Sequence, residues 1–261
     1  MLFNMHAAYE RIIHDYTHLY AKRDGHGAIT HDAHKKPILT KTLPRLSQSS
    51  LLLILPIVAG QNSYNYSILT TDSTPGVAGG KLPEEIRLNV NDEFFILEMS
   101  QMLYGTIAVD GGATAHRMFT HAPSQYDSKF TAIEDFWLGS LEIDVDKVTY
   151  LTNWDNYRHL VVPRTQDILD PASGQGLTQG NKDLKHDTFH NMEPYIKLSG
   201  SRKNQITTTL PYPIAPVGSP ATVAFPTNDA VAPTPEVINI GFMALLCRGF
   251  LAQNASAFQT T

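Results

Sequence analysis

The sequence predicts an all-β fold, a sandwich of about eight or nine strands that follows a single helix. The composition, with 42% hydrophobic and 17% charged residues, is typical of a folded chain with a sizeable core. The chain also contains 17 glycines and 16 prolines, which indicates many turns between short strands. A long apolar segment near the end follows a proline-rich stretch. The chain has a single cysteine, which excludes an intramolecular disulfide.

The apolar segment at 237–251 is the strongest local signal. It is shorter than the roughly 20 apolar residues of a membrane-spanning helix, and it contains Arg248. The prolines before it prevent a helix from running into it. We therefore predict a long strand through the middle of a sheet, with a buried helix as the alternative. Candidate core and interface residues are Val237, Ile238, Ile240, Phe242, Leu245, Phe250 and Leu251. Cys247 is predicted to be a small core residue, and we expect Gly241→Val or Cys247→Asp to abolish soluble assembly.

An amphipathic helix is predicted at 4–23, because apolar residues recur there at spacings of three and four. This helix either packs on the flank of the β domain or docks on a neighbouring subunit. The candidate subunit-contact residues are Tyr9, Ile12, Ile13, Tyr16, Leu19 and Tyr20.

The polar stretch at 24–45 predicts an extended arm rather than a core element. It carries several lysines and histidines, so weak contact with nucleic-acid phosphates is one expectation. No aromatic residue is interleaved for base stacking. The predicted division is therefore a helix and basic arm at 1–45 and one β domain at 46–261.

The remaining strands are predicted from alternation and turn residues. A half-buried strand is expected to bury Ile86, Leu88 and Val90. A hairpin is expected to join strands at 141–150 and 157–162 through a turn at 152–156. The loop at 163–190 has few core residues and is predicted to be functional or interfacial. The other predicted strands lie at 51–59, 63–71, 94–109, 192–198, 204–210 and 221–225.

An acidic row is the strongest candidate for chemistry. Glu142, Asp144 and Asp146 alternate along one predicted strand, and their carboxylates are suitable ligands for calcium. One strand arranges them in a line, so a calcium site needs ligands from elsewhere. The solvated polar face of a sheet is the favoured interpretation.

Other signals for catalysis or cofactors are weak. His14 and His18 have the i, i+4 spacing of a metal-binding pair, but a structural zinc site takes four ligands and usually includes cysteines. The sequence has no His-x-His pair, and the glycines at 174–180 miss the dinucleotide-binding spacing. We therefore predict no cofactor and no enzymatic activity.

Four stretches carry a resemblance to a known family: 88–96, 136–143, 157–166 and 241–251. With the leading helix and the turn-rich strands, they resemble the jelly-roll capsid and structural virion proteins of tailless icosahedral bacteriophages. The resemblance implies a jelly-roll sandwich, single rather than double because the strands are too few for two. It also implies a virion location after assembly in the host cytoplasm, with copies of the chain and other virion proteins as partners. The copies would form trimers or other capsomers and then the shell, with the major capsid protein as the favoured role.

Two other classes of protein have comparable sheets. A carbohydrate-binding β-sandwich, acting as a receptor-binding or decoration protein, would use Trp154, Tyr157, Tyr126 and Tyr195 as an aromatic platform. A cupin-type metal enzyme is the weaker alternative. We also expect no signal peptide, because charged residues occupy the first turns.

Overall fold

The computed structural model describes residues 5–70, 84–108, 114–122, 128–161, 166–169, 176–179, 188–218 and 237–255. Helix α1 spans Met5–Tyr20, and two 3₁₀ helices span Ser128–Leu138 and Asn156–His159. The strands are β1 (Arg45–Pro56), β2 (Ser63–Tyr66), β3 (Glu93–Ala108), β4 (Thr114–Phe119), β5 (Ser140–Val145), β6 (Val148–Asp155), β7 (Gln166–Leu169), β8 (Gly176–Gln179), β9 (His190–Ser199), β10 (Asn204–Thr209), β11 (Val217–Gly218) and β12 (Val237–Gln253).

The strands form two main antiparallel sheets, which confirms the prediction of an all-β sandwich. The large sheet has the order β1-β12-β3, and both β9 and β4 pair with the far edge of β3. Strand β11 pairs with the same edge of β12 that pairs with β1. The small sheet has the order β2-β10-β5-β6, and β7 and β8 form a separate hairpin.

The predicted central strand is confirmed. Strand β12 pairs with β1 from Phe242 to Gln253 on one side. On its other side it pairs with β3 from Val237 to Ala252, with irregularities near Gly241 and Gly249. Cys247 is fully buried in this strand.

The main core lies between the two sheets, because each strand turns alternate residues inward. Strand β12 contributes Met243, Leu245 and Cys247, and β5 contributes Leu141, Ile143 and Val145. Removal of this apolar surface from water is the main force that holds the sheets together.

The outer face of the large sheet is also apolar, and two chain segments cover it. Helix α1 packs Ile12, Tyr16 and Tyr20 against Phe95 and Phe250, as the helical spacing predicted. The other half of the face forms a cluster of Leu52, Ile54, Tyr104 and Ala244. The segment 84–88 contacts this half, because Glu84 reaches His116 of β4 while the backbone of Ile86 pairs with Leu52 of β1. Within the described part of the chain, no helix is long and apolar enough to cross a membrane.

The arm at 24–45 is folded rather than extended, so that prediction was wrong. Asp24 accepts hydrogen bonds from the backbone of His26 and Ala28, and Asp32 accepts them from His34 and Lys36. The two turns repeat at an interval of eight residues, and Gly27 and Lys35 occupy the equivalent positive-φ positions. Three backbone hydrogen bonds close the segment into a ring. They run from Thr30 N to Lys22 O, from Ile38 N to Thr30 O and from Lys22 N to Ile38 O. Local hydrogen bonding by the aspartates therefore replaces the missing apolar core.

The hairpin after 140 turns earlier than predicted. Asp146 and Lys147 both have positive φ, 51° and 66°, and form the two-residue turn between β5 and β6. Residues 152–156, which were predicted to turn, mostly belong to β6. Residues 157–159 of the predicted second strand belong instead to a 3₁₀ helix, Asn156–His159.

The alternation at 86–90 also misled the prediction. Leu88 is buried, but Ile86 and Val90 are 48% and 46% exposed. The chain buries the ion pair of Glu85 and Arg87 instead, with nitrogen and oxygen 2.8 Å apart. Glu85 also accepts a hydrogen bond from Ile54 N. The buried carboxylate thus pairs with a backbone N–H group of β1, which an apolar side chain could not do. The predicted strand at 221–225 lies outside the described residues.

Candidate functional site

The clearest polar arrangement joins α1 to the large sheet. Glu93 is fully buried at the start of β3. The Tyr16 hydroxyl donates to Glu93 Oε2, and Lys197 Nζ lies 3.4 Å from Glu93 Oε1. Burial raises the pKa of Tyr16, and the neighbouring Glu93 carboxylate raises it further. Tyr16 therefore keeps its proton and stabilises the buried carboxylate.

A second tyrosine holds the exposed side of the same helix. The Tyr195 hydroxyl of β9 donates to Asp15 Oδ2, and its ring packs edge-on against Phe95 with centroids 5.2 Å apart. Burial raises the pKa of Tyr195, and the hydrogen bond to Asp15 adds to the effect. Helix α1 is thus attached to the sheet through two tyrosine–carboxylate bonds as well as through apolar contacts.

A cavity of about 350 Å³ lies between α1, the outer face of β3 and β9, and β6. Phe95 and Lys197 line it, and Leu19 and Tyr150 also contribute to its wall. Leu19 is 59% exposed and Tyr150 is 49% exposed. In the described residues β6 pairs only with β5, so its outer edge lies next to these exposed apolar side chains.

A buried aromatic cluster holds the end of β6 against the start of β9. His159 is fully buried, and its Nε2 accepts a hydrogen bond from Trp154 Nε1 while its Nδ1 donates to Thr188 O. The His190 ring lies 5.0 Å from the His159 ring. Desolvation lowers the pKa of His159 to about 4. This histidine is therefore neutral at pH 7, and it joins the two ends of a long connection.

The predicted core and interface residues of the last strand differ in burial. Ile240 and Leu245 are fully buried, and Phe250 is 7% exposed beside α1. Phe242 and Leu251 are partly buried at the margins of the clusters. The side chains of Val237 and Ile238 lie outside the described part of the chain.

The predicted subunit-contact residues of α1 lie on two faces. Ile12, Tyr16 and Tyr20 are buried against the sheet of their own chain. Ile13 is half-buried, whereas Tyr9 and Leu19 are exposed. Only this second set is accessible to a neighbouring subunit.

The predicted acidic row is shorter than the sequence indicated. Glu142 and Asp144 lie on β5, but Asp146 lies in the turn, where it accepts a hydrogen bond from Lys203 N and pairs with Arg202 Nε at 3.4 Å. Among the described residues, no group of three or more His, Cys, Asp or Glu side chains is arranged to hold a metal ion. Calcium binding by the row was the less favoured interpretation, and it stays untested.

The aromatic residues proposed for carbohydrate binding occupy separate environments. The guanidinium of Arg158 lies 4.7 Å from the centre of the Trp154 ring, whereas Tyr195 packs under α1. Tyr157 is 66% exposed within the 3₁₀ helix Asn156–His159, and Tyr126 lies outside the described residues. The structure does not bring Trp154 and Tyr195 into one platform.

Sequence reasoning missed the residues that attach α1. Glu93 follows Asn91 and Asp92 in the sequence, so it looks like an exposed turn acid. Its partners Tyr16 and Lys197 are 77 and 104 residues away, and no local pattern indicates such a contact. The available signal was the excess of tyrosines on the apolar face of the helix.

Comparison with known proteins found no matching family model, no similar curated protein and no similar solved structure.

Proposed function

We propose that this chain is a structural virion protein, that its sandwich is a jelly roll, and that its copies associate into capsomers and a capsid shell. The order in which eight strands pair carries the proposal. Strands β1, β2, β3, β5, β6, β9, β10 and β12 form the eight.

The pairs of these strands are nested. The first pairs with the last (β1 with β12), the second with the seventh (β2 with β10), the third with the sixth (β3 with β9) and the fourth with the fifth (β5 with β6). The pairs then alternate between the two sheets, which read β1-β12-β3-β9 and β2-β10-β5-β6. A long hairpin rolled into two Greek keys has this arrangement, and that is the description of a jelly roll.

A jelly roll alone does not specify a function, because lectins and cupins share it with viral capsid proteins. The resemblance of four stretches to phage capsid proteins favours the capsid class. Three of these stretches fall in the folded frame of the sandwich: 88–96 leads into β3, 136–143 leads into β5, and 241–251 lies within β12. The fourth, 157–166, begins in a 3₁₀ helix and is only partly described. The favoured role within the virion is the major capsid protein.

The side of the sandwich formed by α1 and β6 is the proposed contact between copies. Leu19 and Tyr150 line the same cavity and are both largely exposed, and Val148 on β6 is 56% exposed. An exposed strand edge with apolar neighbours is prone to pair with another chain. A structural protein can use this tendency for assembly.

Electron microscopy and size-exclusion chromatography of the purified protein test the proposal. We expect capsomers or shells of uniform size at high protein concentration. The double variant Leu19→Glu and Tyr150→Glu should shift the population to smaller species, because it places two charges on the proposed contact. Val90→Glu is a matched control at an exposed apolar residue outside that side. A monodisperse monomer at high concentration contradicts the proposal.

A further inference from the structure

The solvent face of α1 carries two histidines whose rings lie side by side. His14 and His18 are one helical turn apart and exposed, with ring centroids 4.2 Å apart. Their Nε2 atoms are only 3.0 Å apart. We propose that this pair chelates a divalent transition-metal ion, with Cu²⁺ or Ni²⁺ preferred over Zn²⁺. This inference is independent of the proposed function.

The distance between the two nitrogens fits this preference, and the general order of divalent-metal affinities also places Cu²⁺ above Zn²⁺. Imidazole nitrogens bind such metals at about 2.0–2.1 Å, and two of them 3.0 Å apart subtend an angle at the metal of about 91–97°. Square-planar and octahedral centres have neighbouring ligands near 90°, whereas a tetrahedral centre needs about 109° and nitrogens about 3.3 Å apart. Tetragonal geometry with nitrogen and oxygen ligands is typical of Cu²⁺ and Ni²⁺.

Asp15 supports the pair from behind. Its Oδ1 lies 3.7 Å from His14 Nδ1, and its Oδ2 accepts the hydrogen bond from Tyr195. A carboxylate on that side favours the His14 tautomer with the proton on Nδ1, so His14 Nε2 accepts the hydrogen bond from His18 Nε2 in the metal-free protein. Chelation of a metal then requires His18 to move its proton from Nε2 to Nδ1. Tyr195 belongs to β9, so the sheet helps to fix the helix that presents the two rings.

The site is open. Among the described residues no third His, Cys, Asp or Glu side chain joins the pair as a group of metal ligands, so water completes the coordination sphere. An open chelate of two imidazoles differs from a structural zinc site, which is closed by four protein ligands. The expected behaviour is reversible binding of one ion per chain.

The test is titration of the purified full-length protein with CuSO₄, NiCl₂ and ZnSO₄ in a buffer that does not bind metals. Calorimetry gives the affinity, and electron paramagnetic resonance of the Cu²⁺ sample reports the coordinated nitrogens. We expect one tight Cu²⁺ per chain, with a signal from two equivalent nitrogens. We also expect Zn²⁺ to bind more weakly than Cu²⁺ and Ni²⁺.

A double variant, His14→Ala with Arg11→His, is the matched control for histidine content. It keeps the number of histidines but places the two rings seven residues apart, about 10 Å along the helix, which is too far for one metal ion. Both positions are exposed on α1 and lie outside the proposed contact between copies. We expect this variant and His14→Ala to bind Cu²⁺ at least about tenfold more weakly, and His6→Ala on the same helix to bind like the wild type. Wild-type affinity in the double variant, or tighter binding of Zn²⁺ than of Cu²⁺, would overturn the proposal.

Discussion

Gly249 is the position in the central strand where the smallest substitution should do the most damage. A Cβ atom placed there lies 1.8 Å from Phe95 O and 2.9 Å from Phe95 C. Both atoms belong to the backbone of β3, so no side chain can rotate away to make room. Gly249→Ala therefore forces the two central strands of the large sheet apart.

The size of the effect follows from the distances. A carbon atom approaches a carbonyl oxygen no closer than about 3.3 Å, so the strands must separate locally by about 1.5 Å. That separation breaks about two ladder hydrogen bonds of about 1 kcal/mol each. It also loosens the packing of Phe95 and Phe250 under α1. We expect a loss of about 3–4 kcal/mol, which lowers Tm by roughly 10 °C in a domain of this size.

Thermal and urea unfolding of Gly249→Ala and Gly241→Ala, compared with the wild type, provide the assay. Gly241 lies eight positions earlier in the same strand, but nothing lies within 4 Å of a Cβ placed there. Gly241→Ala should be neutral or stabilise by up to about 1 kcal/mol. The sequence had suggested Gly241 as the sensitive position, and the open space removes the steric reason. A Tm for Gly249→Ala within about 2 °C of the wild type would refute the reasoning.

Three further perturbations test the buried polar groups. The pKa of His159 is lowered to about 4 in the folded protein, whereas it is about 6.5 in the unfolded chain. The contribution of this neutral histidine to the free energy of unfolding should therefore be complete above pH 6.5. It should fall by up to roughly 3 kcal/mol as the pH drops through 4. Urea unfolding between pH 7 and pH 4 should show a weaker pH dependence in His159→Gln, and equal slopes would contradict this. Burial raises the pKa of Cys247 to about 12. A thiol reagent should therefore label the native protein far more slowly than the denatured protein. Equal labelling rates would place the thiol at the surface. Tyr16→Phe removes a hydrogen-bond donor from the buried Glu93 and should lower the free energy of unfolding by about 1–3 kcal/mol. Tyr9→Phe, at an exposed ring, should change this free energy little. Equal losses in the two variants would show that the Tyr16 hydroxyl does not stabilise the fold.

The elements that the sequence predicted well depend on local periodicity. Helix α1 was predicted at 4–23 and spans Met5–Tyr20, because the spacing of its apolar residues defines one face. Strand β12 was predicted from an apolar run that follows prolines. In each case the pattern lies within the element itself.

The features that the sequence did not predict depend on contacts between distant residues or on short polar turns. The alternation at 86–90 had the right period, but the buried pair of Glu85 and Arg87 reversed its inward face. The turn at Asp146 was hidden because that residue also continued the acidic alternation of β5. The eight-residue repeat of Asx turns after α1 lacks apolar residues, so it resembled an unstructured arm.

The attachment of α1 shows the same limit at the candidate site. Tyr16 and Tyr195 were visible as aromatic residues, but their carboxylate partners become apparent only when the sheet places β3 and β9 side by side under the helix. The His14–His18 spacing was visible in the sequence. The 3.0 Å distance between their nitrogens, on which the proposed chelate rests, required the structure.

The position of β12 has a consequence for how the protein is made. The strand at the centre of the large sheet, Val237–Gln253, follows all the other strands that the structure describes. While the ribosome is still synthesising the chain, β1 and β3 have no partner between them, and their apolar residues stay exposed. The complete large sheet can therefore form only after synthesis has passed residue 253, whereas the small sheet β2-β10-β5-β6 and the pairs of β3 with β4 and β9 are available earlier. Until that point, the nascent protein should depend on chaperones or on a low local concentration to avoid aggregation.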